Sequence, residues 1–167
     1  MRYVISLIVL ACILYLIIIV LGIVLPANYE VSKTKTFNIP IEEAWNFVAK
    51  VENYPSYRDE YFAVREISQR KGHTFEWQAF MADGKLAMYQ INDFDQNKHL
   101  SYDLIRSSNE MTGSWNFFFF GDSTQTTLEI TEASQMNNPI EKVYWYFTNR
   151  NSRINREFEL IESLESQ

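Results

Sequence analysis

The chain has 167 residues and a formal net charge of −6, a length that accommodates one single-core domain with a small appendage. Arg2 is the only charged side chain before Glu30, so the remainder sets 14 basic against 21 acidic groups and carries −7. That balance, without a basic cluster, argues against a nucleic-acid partner and against a polybasic grip on anionic lipid, and the single Cys12 excludes an internal disulfide.

Tyr3 to Leu25 is an uncharged run of 23 residues. At ~1.5 Å per residue, a helix of that length crosses the ~30 Å hydrocarbon core of a bilayer. A cleaved signal peptide is the rival reading, but its apolar core runs only ~7–15 residues and ends in small side chains. Here Leu25 stands where a small residue is wanted for cleavage after Ala27. Residues 1–26, closed by Pro26, are therefore expected to form a single-pass membrane anchor, and residues 27–167 the domain it tethers. Arg2 on one flank, and Lys33 and Lys35 with Glu30 on the other, leave the side of the membrane open.

A strand is expected over 29–39, rich in Thr, Val, Lys and Phe and stopped by Pro40. Glu42 and Glu43 suit the first turn of a helix that carries Ala44, Trp45, Phe47, Val48 and Val51. It should end near Asn53, because Pro55 disfavours helix at Tyr54. A short helical or irregular turn follows over 56–60. Strands are then expected at 61–69, 74–81, 85–94, about 100–104, 113–120 and 124–132. Arg70-Lys71-Gly72, Asp83-Gly84, Asp95-Gln96-Asn97 and Gly121-Asp122 supply turn chemistry between them.

Asn138 before Pro139, with Glu141 three residues after the Asn, reads as the capped start of a terminal helix that runs to about Ser163. Its apolar stripe is Ile140, Val143, Tyr144, Phe147, Ile154, Phe158, Ile161 and Leu164, interrupted around Arg150 and Asn151. An amphipathic helix must bury such a stripe, and the sheet is the available partner. Strand, helix, consecutive hairpin strands and one long helix together predict an α+β fold with an antiparallel sheet packed on the terminal helix.

Three stretches, Asn38-Ile39-Pro40-Ile41-Glu42-Glu43-Ala44-Trp45, Val51-Glu52-Asn53-Tyr54-Pro55 and Gly113-Ser114-Trp115-Asn116-Phe117, resemble the START-like (SRPBCC) superfamily. It includes Bet v 1-like plant pollen allergens, polyketide cyclases, lipid-transfer START domains and the coenzyme Q-binding family. The resemblance covers the chain from about Tyr29 onward and leaves the anchor outside. It implies a helix-grip fold: a curved sheet of about seven antiparallel strands around a long C-terminal helix, with two short helices after the first strand and an apolar cavity between sheet and helix.

Alternation places Phe75, Trp77, Tyr89, Tyr102, Trp115 and Phe117 on the inward face, opposed by Tyr144, Phe147, Ile154 and Phe158. With Asn151, these are the candidate ligand-binding residues; the same rings could instead fill the space as an ordinary core. Asn151 is either a polar handle in the cavity or a solvent-exposed turn. In Phe117-Phe118-Phe119-Phe120, Phe118 and Phe120 should point outward and pack under a loop or the short helices, contact with the bilayer or a partner being the alternative.

No catalytic set, metal-ligand cluster, Gly-rich phosphate loop or Ser nucleophile elbow is present, and neither a cofactor nor a metal is expected. His73 and His99 read as surface or edge residues. The preferred function is a membrane-anchored domain that binds a lipid, quinone or other apolar small molecule. The alternatives are a cyclase- or dehydratase-type enzyme, or a membrane-tethered protein-interaction module with a filled core.

Overall fold

Alternation of apolar and polar side chains along each strand turns one face of the sheet inward. The computed structural model describes residues 2–70, 72–108, 111–148 and 151–165. Lys71 of the expected turn and Arg150 of the expected helix interruption lie outside the described residues. The chain runs α1 (Arg2–Val24), β1 (Asn28–Phe37), α2 (Ile41–Ala49), a 3-10 helix (Val51–Ser56), β2 (Tyr61–Arg70), β3 (His73–Met81), β4 (Leu86–Asp95), β5 (His99–Ser107), β6 (Thr112–Gly121), β7 (Thr126–Gln135), α3 (Pro139–Phe147) and α4 (Ser152–Glu162).

The seven strands form one antiparallel sheet in the order β1-β7-β6-β5-β4-β3-β2. Only the β1–β7 pairing joins strands distant in sequence. Register irregularities between Glu66 and Ser68 in β2 and between Ile91 and Asp93 in β4 help to curve it. Gly84, with φ of 82° in the expected hairpin, and Asn97, with φ of 61° between β4 and β5, take up the left-handed backbone that tight turns need. Phe117 and Phe119 point inward and are buried. Phe118 and Phe120 point outward and remain 37% and 55% exposed, so among the described residues neither a loop nor the short helices cover them as expected.

α2 ends at Ala49 rather than near Asn53, and the chain tightens into the 3-10 helix that contains Pro55. Two tyrosines satisfy carbonyls left open at that terminus: Tyr54 Oη donates to Val48 O at 2.7 Å and Tyr57 Oη to Phe47 O at 2.6 Å.

The terminal helix, expected as one element, is two. α3 starts as read, with Asn138 Oδ1 accepting from the N–H groups of Ile140 at 2.9 Å and Glu141 at 3.2 Å. It stops at Phe147, because Thr148 adopts extended backbone with φ −92° and ψ 172°. α4 then begins independently, so residues on either side of the break need not share a face. α4 buries Ile154, Phe158 and Ile161. α3 fully buries none of its residues and packs mainly on α1, with Trp145 turned toward the core. α1 is long and apolar enough to cross a membrane.

α4 is held from both sides. Toward β1, Lys33 Nζ donates to Asn155 Oδ1 at 2.7 Å, and Lys35 pairs with Glu162 at 2.6 Å. Toward β2, the buried Arg58 makes a two-pronged contact with Glu157, one arm at 2.7 Å to Oε2, while its guanidinium lies 4.0 Å over the Tyr54 ring. Beneath the C-terminal half of α4 the core is solid. Phe158 meets Phe37 at 5.8 Å, and Trp45 lies edge-on to Phe94 and Phe119 at 5.1 and 5.2 Å.

Glu157→Ala strands the Arg58 charge in the interior and is expected to cost about 3–5 kcal/mol. Lys35→Ala removes an exposed pair and should cost less than about 1 kcal/mol. Denaturant unfolding of the two variants checks the ordering, and equal effects would show that the Arg58 pair does not hold α4.

Candidate functional site

α4 covers one end of the concave face, and beside it lies a cavity of about 600 Å³. Its wall is the inward face of the central strands, where Tyr89 of β4, Tyr102 of β5 and Trp115 of β6 interlock. Tyr89 meets Tyr102 edge-on at 5.8 Å, and Tyr102 stacks on Trp115 at 5.6 Å. Trp77 stacks on Tyr89 at 5.1 Å and fixes its plane. Ala87, Leu104, Met111 and Ile130 widen the apolar lining, and Ile154 closes it from α4. Large rings leave space here because small Ala87 sits among them and no side chain of α4 fills the gap.

Charged groups border the cavity in pairs. Glu60 meets Arg156 at 2.7 Å and Asp83 meets Lys85 at 2.7 Å on the side of the β3–β4 turn, and Glu157 is engaged by Arg58. At the other side Arg153 donates to Glu132 Oε1 at 2.9 Å and to Met111 Sδ at 3.3 Å, and lies 4.2 Å over the Trp145 ring. Met111, Trp145 and Arg153 also line a small vestibule of about 50 Å³ whose other wall includes Pro26, Ala27 and Met136. They form the partition between the two spaces.

Desolvation by burial raises the phenol pKa values of Tyr54, Tyr61, Tyr89 and Tyr102 above the ordinary 10.0. The same cause pushes Tyr57 up to about 12. Burial works to lower the proton affinity of Arg58, but the charge and hydrogen bonds of Glu157 outweigh it and hold the guanidinium protonated. The cavity hydroxyls of Tyr61, Tyr89 and Tyr102 are therefore neutral; Tyr61 hydrogen-bonds Tyr89, which leaves Tyr89 and Tyr102 able to donate to a polar group on an otherwise apolar guest.

Of the candidate ligand-binding residues, Tyr89, Tyr102, Trp115 and Ile154 line this cavity. Trp77, Phe117 and Phe158 are buried on the expected faces but within packed core rather than at the cavity. Phe75 is half-buried and borders a separate depression with His73 and Ile91. Asn151 is half-buried at the start of α4 and accepts a hydrogen bond from Tyr29 Oη at 3.2 Å, outside the cavity. Tyr144 and Phe147 do not oppose the sheet: the break before α4 lets α3 turn to α1, and they are 64% and 70% exposed. His73 stacks on Phe94 at 4.1 Å, and His99 stacks on Phe118 at 4.3 Å and pairs with Asp93 at 3.0 Å. The sequence reading missed Tyr61, Trp145, Arg153 and Glu157. Trp145 is on the face of α3 opposite the supposed stripe, and helical charges ordinarily mark a solvated face.

No protein-family model matches the chain, and no curated protein matches it in sequence. Solved structures do match the fold. A START superfamily protein from Mycobacterium smegmatis superposes with a TM-score of 0.65 at 14% identity, over 80% of this chain and 94% of the other. The Zhui aromatase/cyclase from a Streptomyces gives 0.66 at 14% identity, over 81% and 90%. A norcoclaurine synthase point mutant from Thalictrum gives 0.61 at 7% identity, over 82% and 93%. The chain has the START-like fold.

These raised phenol values have a definite sign. Their stabilising effect is complete below the unfolded value of about 10 and is lost as pH rises through the folded values. Stability is thus expected to fall above pH 10, with the ultraviolet ionisation of these tyrosines coinciding with loss of near-ultraviolet circular dichroism. Complete phenol ionisation at pH 10 with that signal intact would contradict the assigned burial.

Proposed function

We propose that this protein is a membrane-tethered START-like binder that holds a lipid, quinone or other apolar small molecule between its sheet and α4. The observation that carries the reading is the cavity of about 600 Å³ with aromatic and aliphatic walls, within the ~300–1,000 Å³ range of small-molecule sites. Neutral phenols supply a few fixed polar contacts, enough to orient a head group without paying for a buried charge.

α1 gives the binder its location as a single-pass anchor. An apolar guest concentrates in the bilayer, and tethering keeps the cavity within a short distance of that store. The matched aromatase/cyclase raises the enzyme alternative. Against it, Glu60, Asp83 and Glu157 at the cavity each lie within 2.7 Å of a cationic partner, and phenols with raised values are poor bases at neutral pH. A solid interaction module is disfavoured by the cavity itself.

The segment 27–167 should bring an apolar molecule through purification, visible by mass spectrometry of its extract, or take up the dye N-phenyl-1-naphthylamine. Ala87→Trp, which places a large ring in the space, should weaken dye binding at least tenfold while the variant stays folded. An empty protein with no dye uptake would contradict the proposal.

A further inference from the structure

α3 is a nine-residue helix whose exposed side chains Ile140, Tyr144 and Phe147 recur at i, i+4 and i+7, one apolar stripe. A stripe that the described residues leave 45–70% exposed needs another apolar or amphiphilic phase. The position of α3 identifies that phase. Gly22, in the last turn of α1, is buried against Pro139 so closely that a Cβ there would stand 2.1 Å from the Pro139 carbonyl oxygen. Small residues permit such close approach between membrane helices. Val24 ends α1 only two residues later, so the start of α3 is fixed within about 3 Å, at 1.5 Å rise per residue, of the end of the spanning segment. Tyr, Phe and Ile at that level match the composition of a helix lying in the membrane interface.

The vestibule lies beneath the same helix. Pro26 and Ala27, where the chain leaves α1, form one of its walls, and Trp145 of α3 stands in the partition that separates it from the large cavity. Arg153 latches that partition through Glu132, Met111 and the Trp145 ring.

We propose that α3 lies in the head-group layer of the bilayer that α1 enters, through Ile140, Tyr144 and Phe147, and that the vestibule under it is the doorway by which an apolar guest passes between bilayer and cavity, with Trp145 and Arg153 as the gate. This rests on the membrane-tethered binder reading and adds the orientation of the domain and the route of the guest. Exchange then avoids the aqueous phase, and opening requires only that Trp145 swing from Arg153 while α4 stays clamped.

The test uses the full chain reconstituted in phosphatidylcholine vesicles, spin-labelled at the native Cys12 or, in a Cys12→Ser background, at Ile140→Cys, Tyr144→Cys, Phe147→Cys or Phe62→Cys. Relaxation by oxygen against a water-soluble nickel chelate reports depth. The expected result is Cys12 embedded, positions 140, 144 and 147 at the interface, and position 62 in water. Gly22→Val should move the label at 144 into water by parting α3 from α1. Labels at 140, 144 and 147 as exposed as the one at 62, with Cys12 embedded, would overturn this inference and leave the tethered binder standing; a water-exposed Cys12 would overturn both. For the doorway, loading of a dansyl-labelled fatty acid from the same vesicles, followed by energy transfer from tryptophan, should be several-fold faster in Trp145→Ala and slower in Gly22→Val. An unchanged or slowed rate in Trp145→Ala would overturn the gate.

Discussion

The concave face of the sheet offers more apolar surface than an eleven-residue helix can cover, and the architecture follows from that shortfall. Ile154, Phe158 and Ile161 seal the end of the groove backed by Phe37 and the α2 side chains, and burying each such side chain contributes roughly 1.5–3 kcal/mol. Around Ile154 the helix presents Arg153 and Arg156 to the cavity instead of more hydrocarbon. The aromatic wall of Tyr89, Tyr102 and Trp115 is left facing a space. Burial against this wall is available to a guest because, among the described residues, no further side chain occupies the space.

A cavity of this kind collapses unless its two walls are held apart. The sheet resists through interlocked rings, with Trp77 behind Tyr89 and Trp115 against Tyr102. The helix is fixed by ion pairs and hydrogen bonds that reach it from β1 and from the turn before β2. The Arg58–Glu157 contact matters most among these because Arg58 is buried, where an unpaired guanidinium would be costly. Pairing also makes Glu157 a strut between α4 and the turn before β2.

Much of this was legible in the sequence where a local rule governs. Strand alternation, the Asp83-Gly84 turn and the Asn138-Pro139 helix start all depend on neighbours a few residues away, and each element was placed within a few residues. The inward aromatics Tyr89, Tyr102 and Trp115 followed from the same alternation. The helix break did not: Tyr144 and Phe147 continue the spacing of Ile154 and Phe158, and only the packing of α3 against α1 shows that the two stripes face different partners. Arg58 and Glu157 lie 99 residues apart, so nothing local marks either as an interior residue. Trp145 was hidden for the same reason as Tyr144 was misplaced, since the phase of α3 is set by its contact with Gly22 of α1.

Crystallography of the segment 27–167 soaked with 12-bromododecanoic acid tests the central claim most directly, because anomalous scattering locates bromine without bias. With the sheet and α4 enclosing a site for an apolar guest, the bromine should appear between Tyr89, Leu104 and Ile154. Bromine found only on the outer surface, with those side chains in contact and the space closed, would contradict it.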